Sequence, residues 1–407
     1  MNTKIIAIAV VAVIAVAAVG AYVVLSNNDS DADMNIIGRV NTDGSAILLK
    51  NGENSADYVT IVEGEEPSEP HLGGNSKWVV FNKDNWGGKI FTDPGASTIQ
   101  HVQLNDIADA MDLKFVQYST GITVSKDTLY FIPGVPTYEK FKSELNNNSD
   151  IVGGIFWEPQ TSVATLSGDK DKCSMMVTTN DLFPGHTCCT IAAQHSYISS
   201  HKDETVRFLA AYVESVKKMT AAISEKSGDN YDKVIEVAMD KVSMGDVKDD
   251  QKKAAIENAF KYVVYTYADN SAGSLDNLEK DIASMAEKFA NSKTAKNDAA
   301  ALGFDSYDAL ADKFVDGSYM EDAVKYKLPE NVSTANITVA VIGGDIHQLA
   351  IHYGMAMGIF DEYGIKIKLS TQNNGPAVYT AMKNNDAQFG FIGAPPMTIN
   401  SMNDKTI

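Results

Sequence analysis

The stretch Ile337–Ile407 decides how the rest of the chain is read. It runs ITVAVI (337–342), GGDIHQLAIHYGMAMGIF (343–360), IKIKLS (365–370), NNGPAVYTAMKNND (373–386), AQFGFI (387–392) and GAPP (393–396). The β-branched runs Ile337–Ile342, Ile365–Leu369 and Gln388–Ile392 predict buried strands. Between them, Gln348/Ile351/Met355 and Val378/Met382 have helical spacing. Strand–helix–strand–helix–strand is the pattern of a parallel α/β sheet. Ligands of such sheets bind at the carboxyl ends of the strands, here Gly343-Gly344-Asp345 and Gly393-Ala394-Pro395. This pattern usually opens a domain, yet here it comes last.

Composition narrows the class. The 407 residues can bury one large core or two lobes, and a hydrophobic content of 44% is ordinary for a globular chain. A net charge of −19, with Arg39 and Arg207 the only arginines, argues against nucleic acid or an anionic membrane surface as partner. Cys173, Cys188 and Cys189 supply no disulfide framework, because adjacent cysteines fit the bridging geometry poorly. Ile5–Leu25 is an unbroken apolar run behind Lys4, long enough for the roughly 20 residues a bilayer crossing needs. The run is read as an uncleaved membrane anchor, with a cleaved signal peptide as the alternative. Lys4 inside and the acidic Ser26–Asp33 outside put the folded part on the extracytoplasmic face.

Ile36–Val40 and Ala46–Lys50 read as strands flanking Asn41-Thr42-Asp43-Gly44-Ser45, a turn by composition. Asn51–Asn75, with acidic Glu63–Glu69, reads as an exposed excursion. A second α/β segment follows, with Lys89-Ile90-Phe91 a strand and Thr92–Thr98 a turn into the helix Ile99–Met111. Leu113–Tyr118 is a strand, Tyr138–Leu145 a helix, and Ile151–Phe156 a strand ending in Trp157-Glu158-Pro159. Cys173–Thr178 and Cys188–Ala193 are strand-like, and Lys202–Tyr326 is almost wholly helical. Free N–H groups at helix starts favour anions.

Taken together, GGDIHQLAIHYGMAMGIFDEYGIKIKL, QFGFIGAPP, GGKIFTDPGASTIQHV, IFWEPQTS and LFPGHTCCTIAAQHSYI resemble the substrate-binding proteins of ABC importers. The particular likeness is to the nitrate/sulfonate/taurine group, which includes thiamine-pyrimidine binders. The resemblance implies a type II periplasmic-binding-protein-like fold, two α/β lobes with a ligand cleft between them. It also implies a small anionic or zwitterionic ligand, no catalysis, no cofactor and no metal, and a monomer that delivers to a permease and its ATPase. In that family the HQLAIHYGMAMG and FGFIGAPP features come first, so the order here resembles a circular permutation. Expected boundaries are an anchor and linker over 1–34, lobe 1 over 35–82 with 335–407, lobe 2 over 83–190, and a helical return over 191–334.

The expected cleft residues are Gly344, Asp345, His347 and Gln348, with Asn374, Gly375, Gly393, Ala394 and Pro395 on the same rim. From the second lobe come Gly95, Ser97, Thr98 and His101, then Trp157 and Glu158. Trp157 could stack on a ring or alkyl group and Glu158 could take an ammonium or ring N–H. Against this, Trp157 could be packing, Glu158 a surface cap and His347 a helix-start hydrogen-bonder. His186, Cys188 and Cys189 offer an alternative, since imidazole and thiolate bind zinc or iron. A pyrimidine-precursor synthase on the same fold, with an iron-binding cysteine stretch, is the second functional reading. HTCC nevertheless has few ligands and a spacing unlike a zinc ribbon.

Overall fold

The computed structural model describes residues 33–168 and 172–407. The apolar N-terminal run lies outside the described residues, and among them no helix is long and apolar enough to cross a membrane. In chain order the first strands are β1 (Met34–Asp43), β2 (Ser45–Leu49), β3 (Val59–Glu63), β4 (His71–Gly74), β5 (Lys77–Phe81), β6 (Ile90–Thr92), β7 (Lys114–Gln117) and β8 (Thr128–Ile132). They are followed by β9 (Ile151–Trp157), β10 (Ser174–Thr178), β11 (Thr187–Gln194), β12 (Val263–Tyr265), β13 (Ala335–Ile342), β14 (Ile365–Gln372) and β15 (Phe389–Gly393).

Two six-stranded sheets define two α/β lobes, as the sequence leads one to expect. Lobe 1 has the order β12-β1-β11-β15-β13-β14 and lobe 2 the order β10-β2-β9-β6-β8-β7. In lobe 1, β13 pairs in parallel with both β14 and β15, while β11 runs antiparallel to β15 and β1. In lobe 2, β6 pairs in parallel with β8 and β9, while β2 runs antiparallel to β9 and β10. The central parallel strands are apolar because helices cover both faces, while the edge strands β7 and β14 carry exposed polar residues. Val339, Ala340 and Val341 in β13, and Phe389, Phe391 and Ile392 in β15, are at most 1% exposed. The helix Lys202–Glu225 presents Phe208 and Tyr212 to that sheet, with Phe208 stacked on Phe389 at 4.5 Å and Tyr212 edge-on to Phe391 at 5.2 Å.

The chain changes lobe between Asp43 and Ser45, not at residue 82, and returns between Thr178 and Thr187. Asn41–Ser45 is therefore no hairpin turn. β1 and β2 belong to different sheets, and two consecutive left-handed residues, Asp43 at φ 59° and Gly44 at φ 90°, redirect the backbone between them. The composition signal was correct about conformation and misleading about pairing, because a sheet crossing and a hairpin demand the same residue types.

Asn51–Asn75 is likewise more ordered than its composition suggests. β3, β5 and β4 make a third, three-stranded sheet on lobe 2, with only the acidic tip around Glu63–Glu69 left outside. An aromatic cluster attaches it: Trp86 stacks on Phe91 at 4.9 Å and meets Tyr58 and Phe81 edge-on at 6.0 and 5.8 Å. Burying such rings outweighs the polar loop that joins the strands.

Near the two ends of the described chain, the Met34 N–H donates to the Thr406 carbonyl at 2.9 Å, and Tyr379 Oη lies 2.9 Å from Thr406 Oγ1. Since β15 sits in the middle of the lobe 1 sheet, lobe 1 needs the C-terminal stretch as an interior partner. Removing residues 335–407 should therefore abolish the cooperative unfolding transition in a urea titration followed by circular dichroism. A truncated chain with an unchanged midpoint would contradict this account of the core.

Candidate functional site

Both sheets bring the carboxyl ends of their central parallel strands to the crossing at Gly44. In lobe 1, β13 ends in Gly343-Gly344-Asp345, where Gly344 is left-handed at φ 79° and packs on Ser243. The Asp345 carboxylate then caps the next turn, accepting from the His347 N–H at 3.0 Å and from its Nδ1 at 2.8 Å. This orients the ring so that Nε2 faces Gly44. A Cβ on Gly44 would stand 2.7 Å from that nitrogen, so only glycine allows the approach.

In lobe 2, β9 ends at Trp157, which pairs with Ser45, and the following Glu158 N–H donates to the Gly44 carbonyl at 2.8 Å. Gly44 thus touches His347 of one lobe and Glu158 of the other. The Glu158 side chain is fully buried; Oε2 accepts from the Ser162 N–H at 3.1 Å and Oε1 has no partner. On the other side of the crossing, His186 Nδ1 lies 2.8 Å from the Phe183 carbonyl and 3.2 Å from Asp43 Oδ1, while its Nε2 is buried without a partner. Cys188 and Cys189 follow, with sulfurs 3.8 Å apart, and Cys189 is in register with Gly393 of β15.

Burial governs the charges of this cluster. It pushes the Glu158 carboxyl up to about 7, against the Ser162 donors and the charge of His347. It also opposes a charged His347, but the Asp345 carboxylate, the Cys188 thiolate and the Gly44 carbonyl outweigh it and lift the ring to about 9. Although the Gly44 carbonyl favours the protonated ring, His347 Nε2 makes no hydrogen bond of normal geometry. His186 is raised in the same way, by Asp43 against burial. Donation from the Cys189 thiol holds Cys188 below the usual thiol range, and Cys189 is pushed far up in consequence.

The remaining expected residues are placed as follows. Gln348 is fully buried and structural in its bonds, accepting from the Ile342 N–H at 2.9 Å and donating to the Phe391 carbonyl at 3.0 Å. Asn374 is exposed and caps its own helix through the Ala377 N–H at 3.0 Å. Gly375 and Gly393 both pack against Pro396, and Ala394 and Pro395 are buried in the first turn of the helix Ala394–Asp404. In lobe 2, Thr98 caps the helix Ile99–Ala110, and the Gly95 N–H donates to Asp93 at 2.7 Å. His101 is held by Asp93 at 2.9 Å and by the rings of Phe115 and Phe131. Ser97 is half-buried beside them. The structure brings Asp345, His347, Trp157 and Glu158 together at Gly44; Gly95, Thr98 and His101 spend hydrogen bonds on one another and on Asp93.

Sequence reasoning passed over Asp43, Gly44 and Tyr265, whose hydroxyl donates to the Ile346 carbonyl at 2.9 Å. Asp-Gly was a legible signal, but it reads in the sequence only as part of a turn. Among the described residues no group of three or more His, Cys, Asp or Glu side chains is arranged to hold a metal ion. His186, Cys188 and Cys189 are not part of such a group. Two surface grooves, of about 580 Å³ beside the helix Asp276–Asn291 and about 550 Å³ beside β14, lie elsewhere, and none of their lining residues carries a buried unpartnered polar atom.

The charges predict a pH dependence. His347 has a folded value of about 9 above its ordinary 6.5, so its stabilisation is full below 6.5 and is lost as pH rises through 9. Glu158, at about 7 above 4.5, acts in the same direction over a lower window. Cys188, held below its usual range, works the other way above about pH 6, so the two contributions are read by difference from wild type. Relative to wild type, His347→Gln should gain melting temperature as pH rises through 9 and Glu158→Gln as it rises through 7, each effect being on the order of 1–3 kcal/mol. Differences between wild type and variants that do not change with pH, measured by scanning calorimetry, would refute the charge assignment.

No family model matches the chain, and no curated protein matches it. Among solved structures, it is similar to the ligand-binding component of an ABC-type import system from Staphylococcus aureus with zinc bound. The two share 11% identity over 63% of this chain and 68% of that one, at a TM-score of 0.36, a likeness too slight to carry an argument.

Proposed function

We propose that this chain is the extracytoplasmic solute-binding protein of an ABC importer, holding a small molecule at the seam between its lobes and handing it to a permease and its ATPase. One observation carries the reading: buried polar atoms without partners gather where the two lobes meet. Asn41 Oδ1, Glu158 Oε1, His186 Nε2 and His347 Nε2 all lie at or beside the crossing. Buried polar groups are nearly always bonded, so a cluster of exceptions supports a place built for another molecule. The resemblance of the sequence features to importer receptors agrees with this.

Charge narrows the ligand class. The groups around Gly44 are carboxylates (Asp43, Glu158, Asp345) and imidazoles (His186, His347), without a lysine or arginine among them. Arg39 is nearby in sequence, but its guanidinium is taken by Asp269 at 3.2 Å, Asp281 at 3.1 Å and Thr187 at 2.6 Å. A bare anion such as nitrate or a simple sulfonate gains no bidentate clamp here. A zwitterion such as taurine, or a ring carrying N–H groups as in thiamine-type pyrimidines, finds an acceptor in Glu158 and a donor in His347. The placement of Ile337–Ile407 after the other blocks is read as a circular permutation, which the Met34–Thr406 hydrogen bond makes sterically simple.

A thermal-shift screen of the folded part against nitrate, an alkyl sulfonate, taurine and a 4-aminopyrimidine tests the reading. A ligand at 100 times its dissociation constant should add about 2.7 kcal/mol. Trp157→Ala should weaken binding of the hit by roughly 1–3 kcal/mol while leaving the unliganded melting temperature nearly unchanged. Loss of unliganded stability with unaltered affinity would make Trp157 a packing residue and remove it from the cleft.

A further inference from the structure

The geometry points to Gln103 as a ligand-reading residue of the same seam, an assignment that rests on the receptor function proposed above. Gln103 is 2% exposed, and neither its amide nitrogen nor its amide oxygen has a hydrogen-bond partner. A primary amide offers two N–H donors and an acceptor oxygen, so this side chain has its whole hydrogen-bonding capacity unused in a dry environment.

Its place on the helix Ile99–Ala110 says where that capacity is directed. Leu104 and Ile107 face the lobe 2 core, whereas Ile99 and Val102 pack into the lobe 1 core. Asp106 reaches lobe 1 as well, through Lys288 at 2.8 Å. Residues three and four apart stack on a helix face, so Gln103 stands between Ile99 and Asp106 of the lobe 1 side and Ile107 of the lobe 2 side. It is also one turn from Gln100, whose amide donates to Ser45 Oγ at 2.8 Å, directly after the Gly44 crossing. One glutamine thus braces the crossing strand, and the next along the seam has no protein group to bind. The chemistry it suits is a ligand offering an acceptor and a donor side by side. The sulfonate and ammonium of a zwitterion would do so, as would the ring nitrogen and amino group of an aminopyrimidine.

Function and stability then pull in opposite directions at this position. Replacing an unpartnered buried amide by an apolar side chain of the same shape removes an unfavourable burial. Gln103→Met should therefore melt at the wild-type temperature or above it, while binding taurine or 4-aminopyrimidine roughly tenfold or more weakly in calorimetric titration. Gln103→Leu is a second apolar replacement should methionine prevent folding. A lower melting temperature in both variants would show the amide bonded within the native protein and overturn the assignment. Unchanged affinity for a probe that the wild type binds would overturn it too, leaving the receptor reading intact. If the wild type binds neither probe, the ligand class falls and this assignment with it, whereas the receptor reading falls only if no compound of the wider screen binds.

Discussion

Everything at the lobe junction depends on a residue without a side chain. At Gly44 the backbone leaves one sheet and enters another in a single step, in a left-handed conformation that follows a left-handed Asp43. His347 of lobe 1 closes against it from one side, and the Glu158 N–H of lobe 2 bonds its carbonyl from the other. A Cβ would be strained by the dihedral and would collide with the imidazole. The crossing is therefore both one of two chain links between the lobes and the spacer that sets how close their ionisable groups come.

That closeness has an electrostatic consequence. Carboxylates, imidazoles and thiols lie together out of water, and Glu158, His186, His347 and the two cysteines are shifted by burial and by one another. Such an arrangement is unfavourable for folding alone, and buried pairs of this kind are weak evidence for stability. A seam that receives polar ligands makes sense of it. The lobes are held together here by Ile99 and Val102 in the opposite core, by Lys288–Asp106, and by Asn258 donating to Ser162 at 3.0 Å. These contacts mix apolar and polar groups, and Val163 of lobe 2 also packs against the lobe 1 core.

Much of this was legible in the sequence, and the reasons differ by element. β13 and β15 were found because buried parallel strands are largely apolar, whereas β14, expected to be buried, is an edge strand that turns Lys366 and Lys368 to solvent. Trp157 and Glu158 were marked as the end of a strand and as matching the family's strand end, and the structure sets them beside Ser45 and Gly44. The small sheet β3–β5–β4 was missed because its alternation is interrupted by an acidic tip, and only the Trp86 cluster, formed by residues distant in sequence, fixes it. The role of Gly44 was hidden because turns and sheet crossings use the same residues. Gln103 could not be seen at all: a glutamine on a helix is ordinary, and only the absence of a partner once folded sets it apart. The helix start at Gly95–Thr98 shows the converse. Its residues have an anion-binding look, yet Asp93 and Thr98 already occupy the donors that such a site would offer.

The central claim is that the unpartnered atoms at the seam are completed by a small molecule. The most direct measurement is a crystal structure of the protein purified from its expressing cells or soaked with taurine or a 4-aminopyrimidine. The account predicts density for a non-protein molecule hydrogen-bonded to Glu158 Oε1, with His347 beside it. Ordered water alone satisfying each of those atoms, in a protein shown to bind the same compound elsewhere, would contradict it.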